Sequence, residues 1–234
     1  MRMNIEPIAT LRTCFGSKFA TPRQPGLCPS AWGELIFHPP YRSMEAVRGL
    51  EGFSHLWLVF GFHETVDQGW KPTVRPPRLG GNERVGVFAS RSTFRPNGLG
   101  FSLVALEGID TTSPNHPIVK LGGVDLIDGT PIYDIKPYLP YAEALPHARA
   151  GFAEDEIPRL KVEVDDAAQP AFKKLSERAQ KLIVEALSLD PRPAVQTQQQ
   201  DRSFGANLCG KNIRFFIREG ECLIIEISDI TPQY

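Results

Sequence analysis

Proline and glycine decide what this chain can fold into. Twenty-one prolines and twenty glycines among 234 residues interrupt it often enough to favour short strands joined by turns over long helices. Between the interruptions lie apolar segments with little helical period: Glu34-Leu35-Ile36-Phe37, Ser54 to Phe62, Leu99 to Ile109 and Pro117 to Leu126. Ser54 to Phe62 is mostly apolar and aromatic and reads as a strand buried on both faces. Arg84 to Ser90 reads as a further strand that runs into a stretch of Arg, Ser and Thr. Asn97-Gly98 and Asp128-Gly129 are dipeptides of tight hairpin turns. This pattern predicts a small, closed or half-closed and mostly antiparallel β-barrel.

The character changes near residue 155. Asp165-Asp166 precede a segment starting near Pro170 in which Phe172, Leu175, Ala179, Leu182, Ile183 and Ala186 recur at spacings of three and four. That spacing predicts an amphipathic helix, with proline acceptable in its first turn and aspartate favourable there. Asp190-Pro191-Arg192-Pro193 stops it, and Gln196 to Gln200 reads as a polar loop. Asn212 to Arg218 and Glu221 to Ser228 then predict a hairpin around Glu219-Gly220. The expected fold class is therefore α+β. A barrel occupies residues 1–155, and a smaller α+β domain occupies 156–234.

Composition excludes several classes. With 41% hydrophobic and 23% charged residues the chain is an ordinary globular sequence. No run approaches the roughly 20 apolar residues that cross a bilayer. Met1 to Glu6 lacks the apolar core of a secretory signal, so a cytoplasmic, membrane-free protein is expected. Cys14, Cys28, Cys209 and Cys222 are scattered, and the five histidines form no HExxH or facial triad. No metal site is expected. Phosphate loop, GxSxG elbow and complete GxGxxG pattern are all missing.

The net charge of -1 conceals a segregation. Residues 1–104 carry twelve Lys or Arg against seven Asp or Glu, while residues 105–170 carry five against twelve. Lys71, Arg75, Arg78, Arg84, Arg91 and Arg95 face only Glu83 within 71–95. A local anionic partner fits this stretch; indiscriminate nucleic-acid binding does not fit the whole chain.

Three segments have unusual content. Thr21-Pro22-Arg23-Gln24-Pro25 is a proline-stiffened loop presenting an arginine and a glutamine. Gly86 to Asn97 runs a strand into a tight turn with two arginines, two serines and an asparagine. Asp125-Leu126-Ile127-Asp128-Gly129-Thr130, followed by Asp134 to Tyr138, offers carboxylates to hydroxyl or ammonium donors.

Together these segments resemble a known family. Gly86 to Asn97 closely matches the signature of the TsaA-like family, also called TrmO, which are β-barrel, S-adenosylmethionine-dependent tRNA (adenine-N6)-methyltransferases. The resemblance continues through Pro22-Arg23-Gln24, Phe62-His63-Glu64, Asp125 to Tyr138 and Asp190-Pro191-Arg192-Pro193. It implies methylation of N6 of threonylcarbamoyl-adenosine at tRNA position 37, beside the anticodon. It also implies a homodimer with the cofactor bound by the barrel near the subunit interface. Carried over by position, the cofactor contacts fall on Pro22, Arg23, Gln24, His63, Glu64 and Arg91, with Phe101, Asp125, Leu126, Ile127 and Asp128 beside them. One departure is Val195, where the family often has an aromatic; Phe204 is the nearby aromatic in this chain.

The implied chemistry assigns roles. The donor's ribose diol and ammonium need acceptors, for which Glu64, Asp125 and Asp128 are available, and its carboxylate needs Arg23 or Arg91. Phe62, Phe101 or Leu126 would wall its adenine. A carbamoylated N6 has a more acidic N–H, whose anion a basic pocket would stabilise, with Arg95, Asn97 and Arg192 as candidates. Asp190 and His63 are the candidates for a general base. The anticodon loop would meet Lys71, Arg75, Arg78, Arg192, Arg202, Lys211 and Arg214. A non-catalytic RNA-binding barrel, and an enzyme using the same donor on a small molecule, remain alternatives at this stage.

Overall fold

A computed structural model describes residues 4–193 and 202–230. Contact density divides the chain into two compact units. The first comprises the residues up to Arg12, Gly33–Gly122 and Gly129–Glu156; the second comprises Thr13–Trp32, Gly123–Asp128 and the chain from Ile157 onward. The sequence suggested a division at 155/156. The last segment of the second unit begins next to it, but that unit also takes Thr13–Trp32 and Gly123–Asp128.

The first unit contains the expected barrel. Strands β1 (Ala9–Thr13), β2 (Trp32–Phe37), β3 (His55–Gly61), β6 (Leu99–Asp110), β7 (Ile118–Gly122) and β8 (Thr130–Pro137) close in the order β1-β2-β7-β6-β3-β8. A small ribbon of β4 (Thr73–Val74) and β5 (Val85–Gly86) stands apart from it. Burial alternates along β2 and β3, as a pleat with one face inside requires. Leu11, Leu35, Leu56, Leu58, Leu121 and Ile132 are fully buried, each stabilising the fold by about 2 kcal/mol of transfer free energy. A one-residue slip would turn such a set outward, so the pattern fixes register. Phe60 of β3 lies opposite Gly100 of β6. A Cβ at Gly100 would sit 2.4 Å from the Phe60 ring, so only glycine lets the ring lie across the neighbouring strand.

In the second unit, β10 (Phe204–Leu208), β11 (Lys211–Arg218) and β12 (Glu221–Asp229) form an antiparallel meander. β9 (Lys161–Val164) adds to β12 in parallel. Phe19, Phe204 and Phe215 stack with centroids 5.9–6.3 Å apart. The hairpin at Glu219-Gly220 forms as expected, both residues having positive φ (48° and 82°).

Several local expectations need correction. Ser54 to Phe62 is not buried on both faces, because Trp57 and Val59 are half-buried on the outer side of β3. Arg84 to Ser90 yields only the two-residue β5, followed by a 3-10 turn at Val87–Ala89. Pro117 to Leu126 stops being strand at Gly122, where Gly123 turns the chain with φ 65°. Asn97-Gly98 forms a tight left-handed pair, but it leads from a loop into β6 and closes no hairpin.

The expected single helix is two: α2 (Gln169–Lys173) and α3 (Glu177–Ser188), α1 being the short Pro140–Glu143. Ser176 makes the break, its Oγ accepting from Ala179 N–H at 3.3 Å as the cap of α3. Of the predicted face, Leu182, Ile183 and Ala186 are buried along α3 and Ala179 is half-buried; Leu187 joins them. The Gln196 to Gln200 loop and Val195 lie outside the described residues.

Candidate functional site

The signature segment is a loop that hydrogen-bonds to itself. Val87, 1% exposed, anchors it. Ser90 Oγ donates to Val87 O at 2.9 Å, Ser92 N–H to Ser90 Oγ at 3.3 Å, and Phe94 N–H to Ser92 Oγ at 3.2 Å. Arg95 Nη1 donates to Val87 O at 3.1 Å and to Ser90 O at 2.6 Å, and its guanidinium lies 6.0 Å from the Phe88 ring centroid. The hydroxyls and Arg95 thus build the loop, because a turn without regular structure must satisfy its polar groups from its own side chains.

Two of the predicted residues are presented by that frame. Arg91 and Asn97 are both exposed, and Asn97 is fixed at φ 66°. Phe62 N–H donates to Gly98 O at 2.8 Å. This contact brings exposed His63 and Glu64, just past β3, to the same end of the β3–β6 ladder. Phe101 stands opposite Val59 two rungs further on and is 63% exposed. Within the first unit the structure therefore gathers Arg91, Arg95, Asn97, His63, Glu64 and Phe101.

The second unit gathers the remaining predicted residues. Gly26 N–H donates to Gly123 O at 2.9 Å, and Gly123 N–H to Ala31 O at 2.7 Å. These bonds knit the loop of Pro22, Arg23 and Gln24 to the loop of Asp125, Leu126, Ile127 and Asp128. A Cβ on Gly123 would come within 3.3 Å of Gly26 Cα, so the close approach depends on glycine. Asp128 is exposed but oriented: its Oδ1 accepts from Thr13 N–H at 2.9 Å, and its own N–H donates to Phe15 O at 2.8 Å. Thr13 Oγ1 donates to Leu126 O at 2.9 Å. Leu126 is 5% exposed, so Asp125, Ile127 and Asp128 are the accessible members of that loop.

Helix α3 secures the far end of the Arg23 loop. Ser30 donates through N–H and Oγ to the two Glu185 oxygens, both at 2.9 Å, while Arg178 Nε donates to Ser30 O at 2.9 Å. Arg159 donates to Leu27 O at 2.8 Å and to Ser188 Oγ at 3.0 Å. Thr13, Ser30, Arg159, Arg178 and Glu185 were missed by sequence reasoning. None sits in a recognisable motif, and each partner lies far away in the chain.

Asp190 and Arg192 form a fork. Arg192 Nε and Nη2 each donate at 2.8 Å to one Asp190 oxygen, and Arg192 N–H adds a bond of 3.2 Å. Arg192 is buried, 8% exposed, and its hydrogen bonds to Asp190 raise its pKa against the opposing effect of burial. Partial burial lowers the Arg23 pKa, with the Asp190 charge opposing, so Asp190 acts on both arginines. Phe204 is 7% exposed within its aromatic stack, which makes it core and not a stacking surface.

Other expected nucleic-acid contacts are engaged too. Arg214 pairs with Glu226 at 3.2 Å, Lys211 pairs with Asp229, and Arg78 donates to Ala153 O and Asp155 O. Lys71 lies 4.2 Å over the Phe94 ring and the Arg202 guanidinium 5.7 Å from the Phe204 ring centroid, and Arg75 is exposed. Among the described residues no cluster of His, Cys, Asp and Glu could hold a metal ion, and no helix is long and apolar enough to cross a membrane.

Residues 10–144 match the family described as tRNA-methyltransferase O N-terminal domain, and residues 157–230 match the TrmO C-terminal domain. The tRNA (adenine(37)-N6)-methyltransferase of Escherichia coli K12 is 48% identical over 220 residues, covering 92% of this chain and 93% of that protein. A Pseudomonas aeruginosa protein called putative S-adenosylmethionine-dependent methyltransferase RcsF is 45% identical over 212 residues, covering 89% of this chain and 90% of its own. The crystal structure of TrmO from Pseudomonas aeruginosa superposes with a TM-score of 0.80 at 36% identity, over 97% of this chain and 99% of that one.

Proposed function

The chain belongs to the tRNA-methyltransferase O family, and from that premise we propose how its own residues transfer a methyl group from S-adenosylmethionine to N6 of adenine 37 in tRNA. The observation that carries the reading is the knitted loop pair of the second unit, with exposed Arg23 on one loop and oriented Asp128 on the other.

That pair fits the donor's chemistry. Asp128, held by Thr13, gives a fixed acceptor for the ribose diol or the ammonium, with Asp125 on the same loop. Arg23 gives a two-pronged donor for the carboxylate. Half-buried Ile127 and buried Pro22 give apolar surface beside them. S-adenosylmethionine supplies a methyl group on a sulfonium, which is a good leaving group. The assignments of Gln24, His63, Glu64, Arg91 and Phe101 to donor binding rest on the family resemblance.

The catalytic candidates divide by geometry. The two bonds from Arg95 Nη1 support a positioning role, holding the loop that presents Arg91, in place of the anion-stabilising role expected from its charge. The fork with Arg192 occupies both Asp190 oxygens, so a proton arriving there would have to displace a guanidinium; this supports a structural pair over a general base. Asn97, exposed on a fixed backbone, is the remaining candidate for donating to charge that develops on a carbamoylated N6. The anticodon loop is read by exposed basic residues such as Arg75 and Arg202. Assembly as a homodimer is part of the same reading, supported by the exposed Phe88, Phe101, Tyr141 and Leu145 of the first unit. A cytoplasmic location follows from the substrate.

Anticodon stem-loops with and without the N6-threonylcarbamoyl group test this. Methyl transfer to N6 of adenine 37, faster on the carbamoylated substrate, is expected. Methylation at another atom, or equal rates on both substrates, would contradict it.

A further inference from the structure

The proposed chemistry uses no thiol, yet two of the four cysteines lie side by side. Phe15 and Leu208 form an antiparallel bridge, and next to it Cys209 N–H donates to Cys14 O at 2.8 Å. Residues facing each other across such a pair have Cα atoms about 4.5–5.5 Å apart, which lies within the range of about 4.4–6.8 Å that a disulfide spans. The Cys14 thiol itself donates to Trp32 O at 3.6 Å, so the pairing with Cys209 is read from the backbone register.

Their surroundings differ in a way that orders their reactivity. Cys14 is 3% exposed. Cys209 is half-buried and opens the two-residue turn between β10 and β11, where Cys209 and Gly210 have φ of 52° and 72°. A solute can therefore reach Cys209 first. The neighbouring Cys14 thiol, aided by the charge of Arg178 and opposed by burial, holds the Cys209 thiol below its ordinary range. Burial, chiefly, pushes Cys14 up, with the neighbouring Cys209 adding to it. Cys28 and Cys222 are each pushed up to about 12, chiefly by burial, with Glu185 acting on the first and Asp190 on the second. Cys209, the one cysteine of the four that is not buried, is thus the attacking thiol.

We propose that Cys14 and Cys209 are a thiol–disulfide exchange site, taking a low-molecular-weight disulfide such as oxidised glutathione, and that closing it weakens binding of the methyl donor. The Cys209 thiolate attacks one glutathione sulfur; the glutathione disulfide bond breaks and one glutathione leaves as thiolate. Cys14 then loses its proton and attacks the Cys209 sulfur, and the second glutathione leaves. The two cysteine thiols are oxidised to one disulfide, the glutathione disulfide is reduced to two thiols, and the two protons pass to them.

Cys14 lies between the two residues that hold Asp128: Thr13, through its N–H, and Phe15, through its carbonyl. Closure turns the Cys14 sulfur away from Trp32 O, to which its thiol donates at 3.6 Å, and ties it to the β10–β11 turn. The new constraint and the lost Trp32 bond act on the segment from Thr13 to Phe15, and through its two bonds on Asp128. This last step rests on the reading of Asp128 as a donor contact.

The test treats the full chain with oxidised glutathione and follows intact mass, peptide mapping and S-adenosylmethionine affinity by calorimetry. A loss of two hydrogens, a linked Cys14–Cys209 peptide and an affinity about tenfold weaker, the scale of one lost charged hydrogen bond, are expected. Dithiothreitol should restore the affinity. Cys209→Ser should block closure, and Cys14→Ser should retain one glutathione on Cys209. No internal disulfide, a disulfide through Cys28 or Cys222, or a closed disulfide with unchanged affinity would each overturn the proposal. Asp128→Ala under reducing conditions separates the two readings: unchanged affinity there removes Asp128 from the donor site, while the mass measurements still judge the exchange site.

Discussion

Arg192 carries a charge that the sequence offers to nucleic acid and the fold gives to Asp190. A guanidinium that is 8% exposed must be paired, and the fork with Asp190 meets that requirement. Arg192→Ala should therefore cost about 3 kcal/mol of stability, since it strands a partly buried carboxylate. Arg192→Lys should recover only part of the loss, because an ammonium cannot reproduce the two-pronged geometry. Denaturant unfolding checks this, and a midpoint unchanged in Arg192→Ala would reject it. Arg95 teaches the same lesson. Its place in the signature was legible, but its partners are backbone carbonyls of a turn that the sequence suggested was a strand. Residue type and spacing reveal where chemistry concentrates; whether a given arginine faces substrate or backbone depends on the turn that carries it.

At the scale of elements, the turn after β6 shows how local sequence becomes structure. The Asp110 carboxylate accepts from Ser113 Oγ at 2.6 Å, Thr112 N–H at 2.8 Å, Thr112 Oγ1 at 2.9 Å and Ser113 N–H at 3.2 Å. These bonds, the Ser113 hydroxyl foremost, hold its carboxyl well below the usual carboxylate range. A depressed folded-state value means the contribution is fully present above the unfolded pKa of about 4 and is lost as pH falls toward the folded value. Asp110→Asn should weaken hydrogen-exchange protection around this turn at neutral pH and remove the part of its acid dependence that arises here. Identical exchange profiles for variant and wild type from pH 7 down to pH 3 would show that the turn does not depend on the carboxylate. Four of the six barrel strands and most of the apolar face of α3 were legible because burial imposes a pattern, whereas β1 and β8, short and mixed in polarity, were not. The break at Ser176 and the end of β7 at Gly122 were not, because a cap and a left-handed glycine override an apolar run that continues past them.

Across the whole molecule, chain order and contact density differ. The change of character near residue 155 marks where the third segment of the second unit begins, but Thr13–Trp32 and Gly123–Asp128 belong to that unit as well. The contacts responsible, Thr13 with Asp128, Ser30 with Glu185 and Cys14 with Cys209, join residues far apart in the chain, and no periodicity announces them. The motifs of the candidate site were therefore legible as a set, whereas the residues that hold them in place were not. Titrating S-adenosylmethionine into the wild type, Asp128→Ala and Arg23→Ala by calorimetry tests the assignment most directly. Each substitution should weaken binding by about 1.5 kcal/mol or more, the scale of one hydrogen bond to a charged group. Folded variants that bind the donor as tightly as the wild type would contradict it.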